Sequence, residues 1–349
     1  MQGWLRCATL PRNVLTLHVA LVAAFAIVVA LCASSASADP VWSPPVDISS
    51  PPDRIDSLQC PSLELCVAVD GGSVFVSSDP GVDSPSWAPY ANPGVGSISC
   101  PSESLCAGAN LAKLFVSTNP AGGAATWTPK RLPWKLGAAT QVYLNRATCR
   151  ADGFCLIFDS GGRSATTRNV LADAPHWRTV WTHDPFVIAT ACPSPAFCVS
   201  GDGYGKLLTL SQPGTARQRW SKPQRVFEHI KFSGLACASP KLCVATGIRG
   251  DVLVSTSPAR GWRTWHRSLR YRAHNLGQPS CPSAKLCVIL DDAGNEIYST
   301  NPAATKPDWH VTHVVSPPSG SYGASMSCPA VSLCVAGYIR SVMTSHQPS

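Results

Sequence analysis

Charged residues are scarce in this chain: Asp, Glu, Lys and Arg make up 14% of its 349 residues, against 45% for hydrophobic residues. That balance excludes an intrinsically disordered protein, which would combine high charge with few apolar residues. Helical periodicity is also missing, because no segment after residue 38 repeats apolar residues at helical spacing over a useful length. These two absences indicate a compact protein built mostly from strands.

Three kinds of chemistry lack their usual residues. After residue 38 the chain has only four glutamates, and nothing in their spacing points to the paired carboxylates of a glycosidase. No CxxC motif occurs, which argues against a thiol redox centre. In the same region 26 Lys and Arg stand against 20 Asp and Glu, a net charge of +6. That charge is too mild for the basic stripe of a nucleic-acid-binding protein, although it favours weak attraction to anionic polymers.

The cysteines, by contrast, follow a strict pattern. Fourteen of the sixteen form seven CxxxxxC pairs, whose first members lie 40 to 49 residues apart. The pairs are Cys60 with Cys66, Cys100 with Cys106, Cys149 with Cys155, Cys192 with Cys198, Cys237 with Cys243, Cys281 with Cys287 and Cys328 with Cys334. A tryptophan follows the first Cys of each of the first six pairs by 27 or 28 residues. Two markers in phase indicate a structural repeat.

The repeat length is typical of one four-stranded propeller blade. Within each repeat we predict strand A ending at the first Cys, strand B starting at the second, an alternating strand C, and strand D carrying the Trp. The sequence therefore predicts an all-β fold, a seven-bladed β-propeller over residues 39–349. Its repeats start near residues 57, 97, 146, 189, 234, 278 and 325.

The ends of the chain predict how the ring closes. The seventh repeat has no Trp of its own, whereas Trp42 lies 18 residues before the first repeat's Cys60. We expect the strand around Trp42 to complete the last blade, because closure removes the open sheet edges that invite aggregation.

The first 38 residues resemble an export signal. Arg6 and Arg12 precede an apolar run over residues 14–31, and small residues precede Asp39, where the mature chain would begin. The alternative is an uncleaved anchor, since that run is just long enough to span a bilayer. We expect a secreted or extracytoplasmic protein, with no membrane span once the signal is removed.

In an exported chain an even set of cysteines indicates disulfides. Each CxxxxxC pair would join strand A to strand B of one blade and stabilise it by about 2 kcal/mol. Zinc would need four converging ligands, whereas each pair belongs to a different blade and no His recurs beside it. We therefore expect no metal and no cofactor.

The segment leading to the Trp resembles a known family. Residues 77–80 (SSDP) before Trp87, 117–120 (STNP) before Trp127 and 299–302 (STNP) before Trp309 are similar to the Asp box, SxDxGxTW, of sialidase-like or BNR-repeat propellers. The resemblance implies a propeller whose boxes are structural turns between strands C and D. The sialidases also use three arginines, a Tyr with a Glu, an Asp and an RIP motif, and no such set is recognisable here.

The connectors between repeats combine arginine with aromatic residues. Arginine holds carboxylates and phosphates, and aromatic faces stack on sugars or apolar groups. The candidate ligand-binding residues are Arg131, Trp134, Tyr143, Arg146, Trp181, His183, Arg225, His229, Arg270, Tyr271 and Arg272. The alternative is that these side chains only cover the blade ends.

Our hypothesis from the sequence is an exported, non-catalytic and monomeric propeller. It would bind an anionic glycan, a cell-wall polymer or a surface protein through its connector face, and not nucleic acid. A sialidase-like glycoside hydrolase with a remodelled site is the alternative.

Overall fold

Seven antiparallel sheets arranged in a ring make up the structure, a computed structural model that describes residues 41–51, 53–135, 143–182, 184–271, 274–317 and 325–346. The innermost strand of each sheet contacts the innermost strands of its two neighbours, and the last sheet contacts the first. The fold is the predicted seven-bladed β-propeller. Residues 1–38, the expected signal segment, lie outside the described residues.

Two short N-terminal strands come first in the chain, β1 (Val41–Trp42) and β2 (Val46–Asp47). Blades 1 to 3 follow with strands β3 (Ser57–Gln59), β4 (Cys66–Val69), β5 (Ser73–Ser77) and β6 (Ala88–Ala91); β7 (Ser97–Ser102), β8 (Leu105–Ala109), β9 (Leu114–Ser117) and β10 (Thr128–Lys130); and β11 (Leu144–Cys149), β12 (Cys155–Asp159), β13 (Arg163–Thr167) and β14 (Arg178–Trp181). In each of these three blades the strands are hydrogen-bonded in chain order from A, nearest the axis, to D at the rim.

In blade 4 the outer strand is split in two, and both halves pair with strand C. Its strands are β15 (Val187–Ser194), β16 (Phe197–Asp202), β17 (Lys206–Ser211), β18 (Arg219–Trp220) and β19 (Gln224–Arg225). Blades 5 to 7 contain β20 (Phe232–Ser239), β21 (Leu242–Gly247), β22 (Asp251–Ser255) and β23 (His266–Arg270); β24 (Ser280–Ser283), β25 (Leu286–Leu290), β26 (Asn295–Ser299) and β27 (His310–His313); and β28 (Ser325–Ala330), β29 (Leu333–Tyr338) and β30 (Ser341–His346).

Helix is confined, in the described residues, to single 3₁₀ turns in the loops between strands C and D of blades 2 and 5. These turns span Pro120–Gly122, Ala124–Thr126, Pro258–Arg260 and Trp262–Thr264. No helix in the described part of the chain is long and apolar enough to cross a membrane.

Ring closure occurs as the sequence predicts. Both β1 and β2 pair antiparallel with β30, so the start of the chain supplies the fourth strand of blade 7. Ser43 fastens the join, since its backbone N–H donates to the carbonyl of Thr344 at 2.7 Å and its Oγ accepts the Thr344 N–H at 3.0 Å. The outer edge of β30 is therefore paired where the two ends of the chain meet.

All seven cysteine pairs form disulfides within their own blades, as predicted. The bonds join Cys60 to Cys66, Cys100 to Cys106, Cys149 to Cys155, Cys192 to Cys198, Cys237 to Cys243, Cys281 to Cys287 and Cys328 to Cys334. Each bond spans Cα atoms 4.0 or 4.1 Å apart, because the second Cys lies at the start of strand B, opposite the end of strand A. In blade 3, for example, Cys149 and Cys155 are direct cross-strand partners. Such bonds are typical of proteins in an oxidising compartment.

The tryptophans fill the seams between blades. Trp127 packs against the apolar residues of blade 1, Trp220 against those of blade 3, and Trp42 against those of blade 6. In most repeats the Trp directly precedes strand D instead of lying within it. Several indoles also donate a hydrogen bond to the preceding blade, as Trp220 does to Ser164 Oγ at 2.8 Å.

A belt of serine hydroxyls joins the blades along the axis. Ser99 Oγ accepts the N–H of Cys149 at 3.0 Å, and Ser327 Oγ accepts the N–H of Cys60 at 2.9 Å. Each of these bonds runs from the backbone of one blade to the hydroxyl of the blade before it. The belt therefore gives the inward-facing side of strand A a structural reason to be polar.

The turns between strands B and C share one device. In most blades an Asp or Asn ends strand B, and its Oδ1 accepts two backbone N–H groups of the following turn; Asp291, for example, binds those of Ala293 and Asn295. Glycine is required near the end of the B to C turns of blades 5 and 6. Gly250 and Gly294 have φ of +79° and +80°, and a Cβ there would come within 1.3 and 1.7 Å of a carbonyl oxygen.

Candidate functional site

The central channel contains a cavity of about 340 Å³ lined by the innermost strands of the blades. Its lining is mainly Ser, Thr, Gln and Ala, and the charged residues among the described lining are Asp56 and Arg146. Asp56 is exposed, and partial burial together with nearby acidic residues raises its pKa, against the opposing effect of Arg54. The channel is thus a largely neutral, hydroxyl-lined tube with one guanidinium among its described lining residues.

Arg146 occupies a position that small polar residues fill in other blades. It lies three residues before the first Cys of its repeat, where other blades have Ser57, Ser97, Gln278 and Ser325. Its Nε atom is buried and has no hydrogen-bond partner among the described residues, and burial lowers the pKa of its guanidinium. The three-arginine clamp of sialidases would require two more arginines here, and the described lining does not contain them.

The second candidate site lies on the face of the B to C turns, over blades 3 and 4. Trp181, Phe186 and Tyr204 are 57%, 50% and 46% exposed, and in the described chain no other Trp, Phe or Tyr is as exposed. We name this surface the aromatic face and define it as Arg163, Trp181, Phe186, Tyr204, Lys206 and Arg225. Exposed apolar side chains gathered at one place mark interaction sites more often than scattered ones do.

The blade 3 half of the aromatic face is built around Arg163. Its Nε binds Asp159 Oδ2 at 2.5 Å, and its guanidinium stacks 4.8 Å from the ring centre of Trp134. Across the sheet Arg163 is the register partner of Trp181, so the two side chains leave the same side of the blade. The stacked arginine provides a rigid base beside the exposed indole.

The blade 4 half consists of two rings in edge contact. Phe186 and Tyr204 meet with ring centres 4.9 Å apart and planes at 86°, which leaves a wedge open to solvent. The Lys206 Nζ atom lies 6.0 Å from the Tyr204 ring centre, and Arg225, in β19, is the cross-strand partner of Lys206. Two cations therefore flank an apolar notch.

Two buried carboxyl groups support these rings from below. Asp184 Oδ1 accepts the N–H of Phe186, and Asp202 Oδ1 accepts those of Tyr204 and Lys206. Burial, and then direct contact with the Asp202 carboxyl group, raises the pKa of Asp184 to about 6. Glycosidase carboxylates lie about 5 Å or more apart and face the substrate. This buried, contacting pair therefore resembles a structural support more than a catalytic pair.

We expect Asp184→Asn to stabilise the protein at about pH 8, by about 2 kcal/mol, and to have almost no effect at about pH 4. Because the folded-state pKa of Asp184, about 6, exceeds its ordinary value of 3.8, the folded protein binds the proton more tightly. Its stability therefore falls as pH rises from about 4 to 6 and stays reduced above that. An amide at this position avoids the second buried charge and donates to Asp202.

Urea unfolding at the two pH values measures this effect. Asp173→Asn removes an exposed acid from the same blade region and serves as the control, for which no gain is expected at either pH. An equal gain for Asp184→Asn at both pH values would contradict the raised pKa of Asp184.

The sequence-derived candidates separate into four places. Trp181 and Arg225 lie in the aromatic face, and Trp134 supports it; His183 belongs to the same connector but lies outside the described residues. Arg131 is exposed nearby, where its carbonyl accepts the Trp177 indole N–H. Arg146 faces the channel, next to Tyr143, whose backbone binds Ser160.

The other candidates lie around blades 5 and 6. Arg270 is 4.0 Å from Asp251, and burial together with Asp291 raises the pKa of Tyr271. His229 is exposed in a left-handed conformation with φ of +64°. Arg272 lies outside the described residues.

Four members of the aromatic face were not among the candidates: Arg163, Phe186, Tyr204 and Lys206. Phe186 lies in a connector, whereas the other three come from the B to C turns, and the candidates were drawn from connectors alone. The signal that could have identified Tyr204 is an aromatic residue at a turn position where other repeats have Gly or Ala. In the described chain no three His, Cys, Asp or Glu side chains come together as a metal site would require.

Seven disulfide-bonded blades around a polar channel define this chain as a seven-bladed β-propeller. Among solved structures, YCF48 from Cyanidioschyzon merolae matches with a TM-score of 0.63 and 11% identity, over 88% of this chain and 99% of that one. The WD40 propeller domain of Doa1 matches with a TM-score of 0.67 and 10% identity, over 89% and 98%. A structure of YCF48 bound to a D1 peptide matches with 0.65 and 11%, over 88% and 97%.

At such low identity these likenesses show the fold alone. No family model matches the chain, and no curated protein matches it. The Asp-box resemblance therefore stays a prediction, although the turns have the expected chemistry: Asp79 Oδ1 accepts from Ser77 Oγ at 3.0 Å and from the backbone and hydroxyl of Ser86 at 3.1 Å. Despite some opposing burial, these bonds lower the pKa of Asp79.

Proposed function

We propose that this chain is an exported, non-catalytic propeller that captures an acidic segment of a partner protein on the aromatic face. The observation that carries the proposal is that Phe186 and Tyr204, two of the three most exposed aromatic side chains of the described chain, lie in edge contact beside Lys206 and its partner Arg225. Large aromatic residues supply most of the binding energy in protein interfaces when they are buried by a partner.

The geometry favours a protein over a sugar at this place. Sugars stack on flat, open ring faces, whereas Phe186 and Tyr204 meet edge to face and form a notch suited to a branched apolar side chain. Arg225 and Lys206 beside the notch favour acidic neighbours in the partner sequence. The YCF48 structure with a D1 peptide is a precedent, by fold alone, for a propeller that holds a peptide.

Export is supported by two features. The seven disulfides require an oxidising compartment, and residues 1–38 have the charge, apolar run and small residues of a signal. Mass spectrometry of the protein isolated from the medium or envelope tests this directly, since a cleaved signal would leave a new N-terminus near Asp39.

The binding test uses a peptide-display library selected on the wild-type protein, followed by affinity measurements on the enriched peptides. We expect acidic peptides with an apolar anchor, and we expect Phe186→Ser/Tyr204→Ser to weaken their binding by about tenfold or more. Leu63→Ser/Val331→Ser is the matched control, because these side chains are 44% and 43% exposed on the disulfide face. Equal binding by the aromatic-face variant, or equal loss in the control, would refute the proposal.

A further inference from the structure

A second cavity, of about 590 Å³, lies at the rim of the disulfide face between blades 3 and 4. Its walls are the turns between strands C and D of these two blades, residues 167–177 and 212–218. It is separate from the aromatic face, because the C to D turns and the B to C turns lie at opposite ends of strand C. We name it the rim cleft.

Three basic residues contribute to the polar lining of the rim cleft. Arg168, His176 and Arg178 all line it and are exposed. None of the three side chains has a hydrogen bond or an ion pair with any other described residue. Asp173, the acidic residue of the same turn, does not line the cavity. Three unpaired donors therefore share one concave surface.

The seven repeats provide an internal comparison. Counted from the Trp of each repeat, the position of Arg168 holds Ser78, Thr118, Thr256 and Thr300 in other blades. The position of Arg178 holds Ala88, Thr128 and Ser221, and a histidine in blades 5 and 6. The framework does not need a cation at either position, since blades of the same architecture fold with neutral residues there. Arg168 is a local departure from the repeat, and blade 3 alone combines it with a second arginine.

The cleft is held open by contacts between the blades. Gln218 of blade 4 accepts from Thr166 Oγ1 at 2.6 Å and from the Gly214 N–H at 2.9 Å, which ties the shortened turn of blade 4 to blade 3. Gly214, with φ of +72°, packs so closely on Arg168 that a Cβ would lie 2.9 Å from its Cγ. The stem of Arg168 is thus positioned along the cleft wall.

Charge is concentrated in the same sector. Residues 163–225 contain eight Lys and Arg but only three Asp and Glu, so they hold most of the positive charge excess of the chain after residue 38. The buried acids Asp184 and Asp202 lie at the other end of the blades, as do the three cations of the aromatic face, which leaves five Lys and Arg and one Asp in the rest of this segment. An anion approaching blades 3 and 4 therefore meets a positive field at the rim cleft.

We propose that the rim cleft binds a saccharide unit bearing a phosphate or sulfate group. Two guanidinium groups and an imidazole fit a tetrahedral oxyanion, which arginine binds through paired N–H donors. The cavity is much larger than a lone oxyanion and falls within the usual range for small-molecule sites. Its remaining lining of Thr167, Asn169 and Thr215 beside alanines suits hydroxyl groups on a compact ring.

Calorimetric titration of the full-length mature protein with glucose 6-phosphate, glucose 6-sulfate, inorganic phosphate and glucose tests the proposal. We expect both charged sugars to bind, inorganic phosphate to bind more weakly, and glucose not to bind. Arg168→Gln/Arg178→Gln should weaken binding of the charged sugars by about tenfold or more, because charge-assisted hydrogen bonds are lost. The stronger of the two charged sugars identifies the natural oxyanion.

The control variant removes two positive charges at a place away from the rim cleft. Arg249→Gln/Arg260→Gln, two exposed arginines of blade 5, should bind the sugars like wild type. The proposal fails if this control loses as much affinity as the cleft variant, if the cleft variant binds normally, or if glucose binds as well as its phosphate. Phe186→Ser/Tyr204→Ser should leave sugar binding unchanged, so this test is independent of the peptide-binding proposal. Thermal melts of all variants confirm that each is folded.

Discussion

A chain without residues 41–47 is expected to unfold about 10 °C or more below the intact protein and to associate through blade 7. The deletion removes the outer strand of that blade and exposes the backbone of β30. It also removes the Ser43 bonds to Thr344 and the Trp42 indole that covers the blade 6 seam. Together these contribute about 5 kcal/mol.

Complementation separates strand loss from general damage. A synthetic peptide of residues 41–51 added to the truncated protein should restore much of the melting temperature, as measured by circular dichroism. The same peptide with Ser43→Pro, which lacks both the backbone donor and the hydroxyl, should not. If the truncated protein melts like the intact one without any peptide, the N-terminal strands do not close the ring.

Reduction of the disulfides should have the largest effect of all. Each bond closes a short loop and contributes about 2 kcal/mol, so loss of all seven removes an amount comparable with the whole stability of a typical domain. We expect the fully reduced protein to be unfolded at about 37 °C, whereas the oxidised protein remains folded. Differential scanning calorimetry with and without reductant measures the change.

Burial of the disulfides affects how fast they are reduced. The second cysteine of every pair is at most 1% exposed, so reduction under native conditions should be slow until the blades open. The double variant Cys60→Ala/Cys66→Ala should lose about 2 kcal/mol and stay folded, because six bonds remain. An unchanged melting temperature in reductant would mean that the bonds add nothing to stability.

Much of the fold could be predicted because each repeat supplies independent markers of the same unit. The CxxxxxC pair indicated where strand A ends and strand B begins, and the Trp indicated strand D, although in most repeats it precedes that strand. The isolated Trp42 then indicated that the missing strand of the last blade lies at the other end of the chain. These inferences needed only local spacing. The limits of the strands were less predictable, because the residue at which a strand ends depends on its hydrogen bonds with the neighbouring strand. Trp87, for example, precedes β6 instead of lying within it.

The candidate site was less predictable because it depends on which turns meet. Arg146 was assigned to a connector, whereas it lies in β11 and faces the channel; the two-residue period of strand A could have shown this. The contact between Asp184 and Asp202 joins a connector to a turn, and no local pattern encodes it. Tyr204 lies in a B to C turn, so a search confined to the connectors could not find it.

The placement of the sulfur bridges has a consequence for how the polypeptide matures. Every cysteine of the described chain has its partner six residues away, closer in sequence than any other described cysteine. A short tether gives that partner the highest effective concentration. Oxidation can therefore proceed hairpin by hairpin while the rest of the polypeptide is still emerging, and mispaired forms need little reshuffling before the toroid assembles.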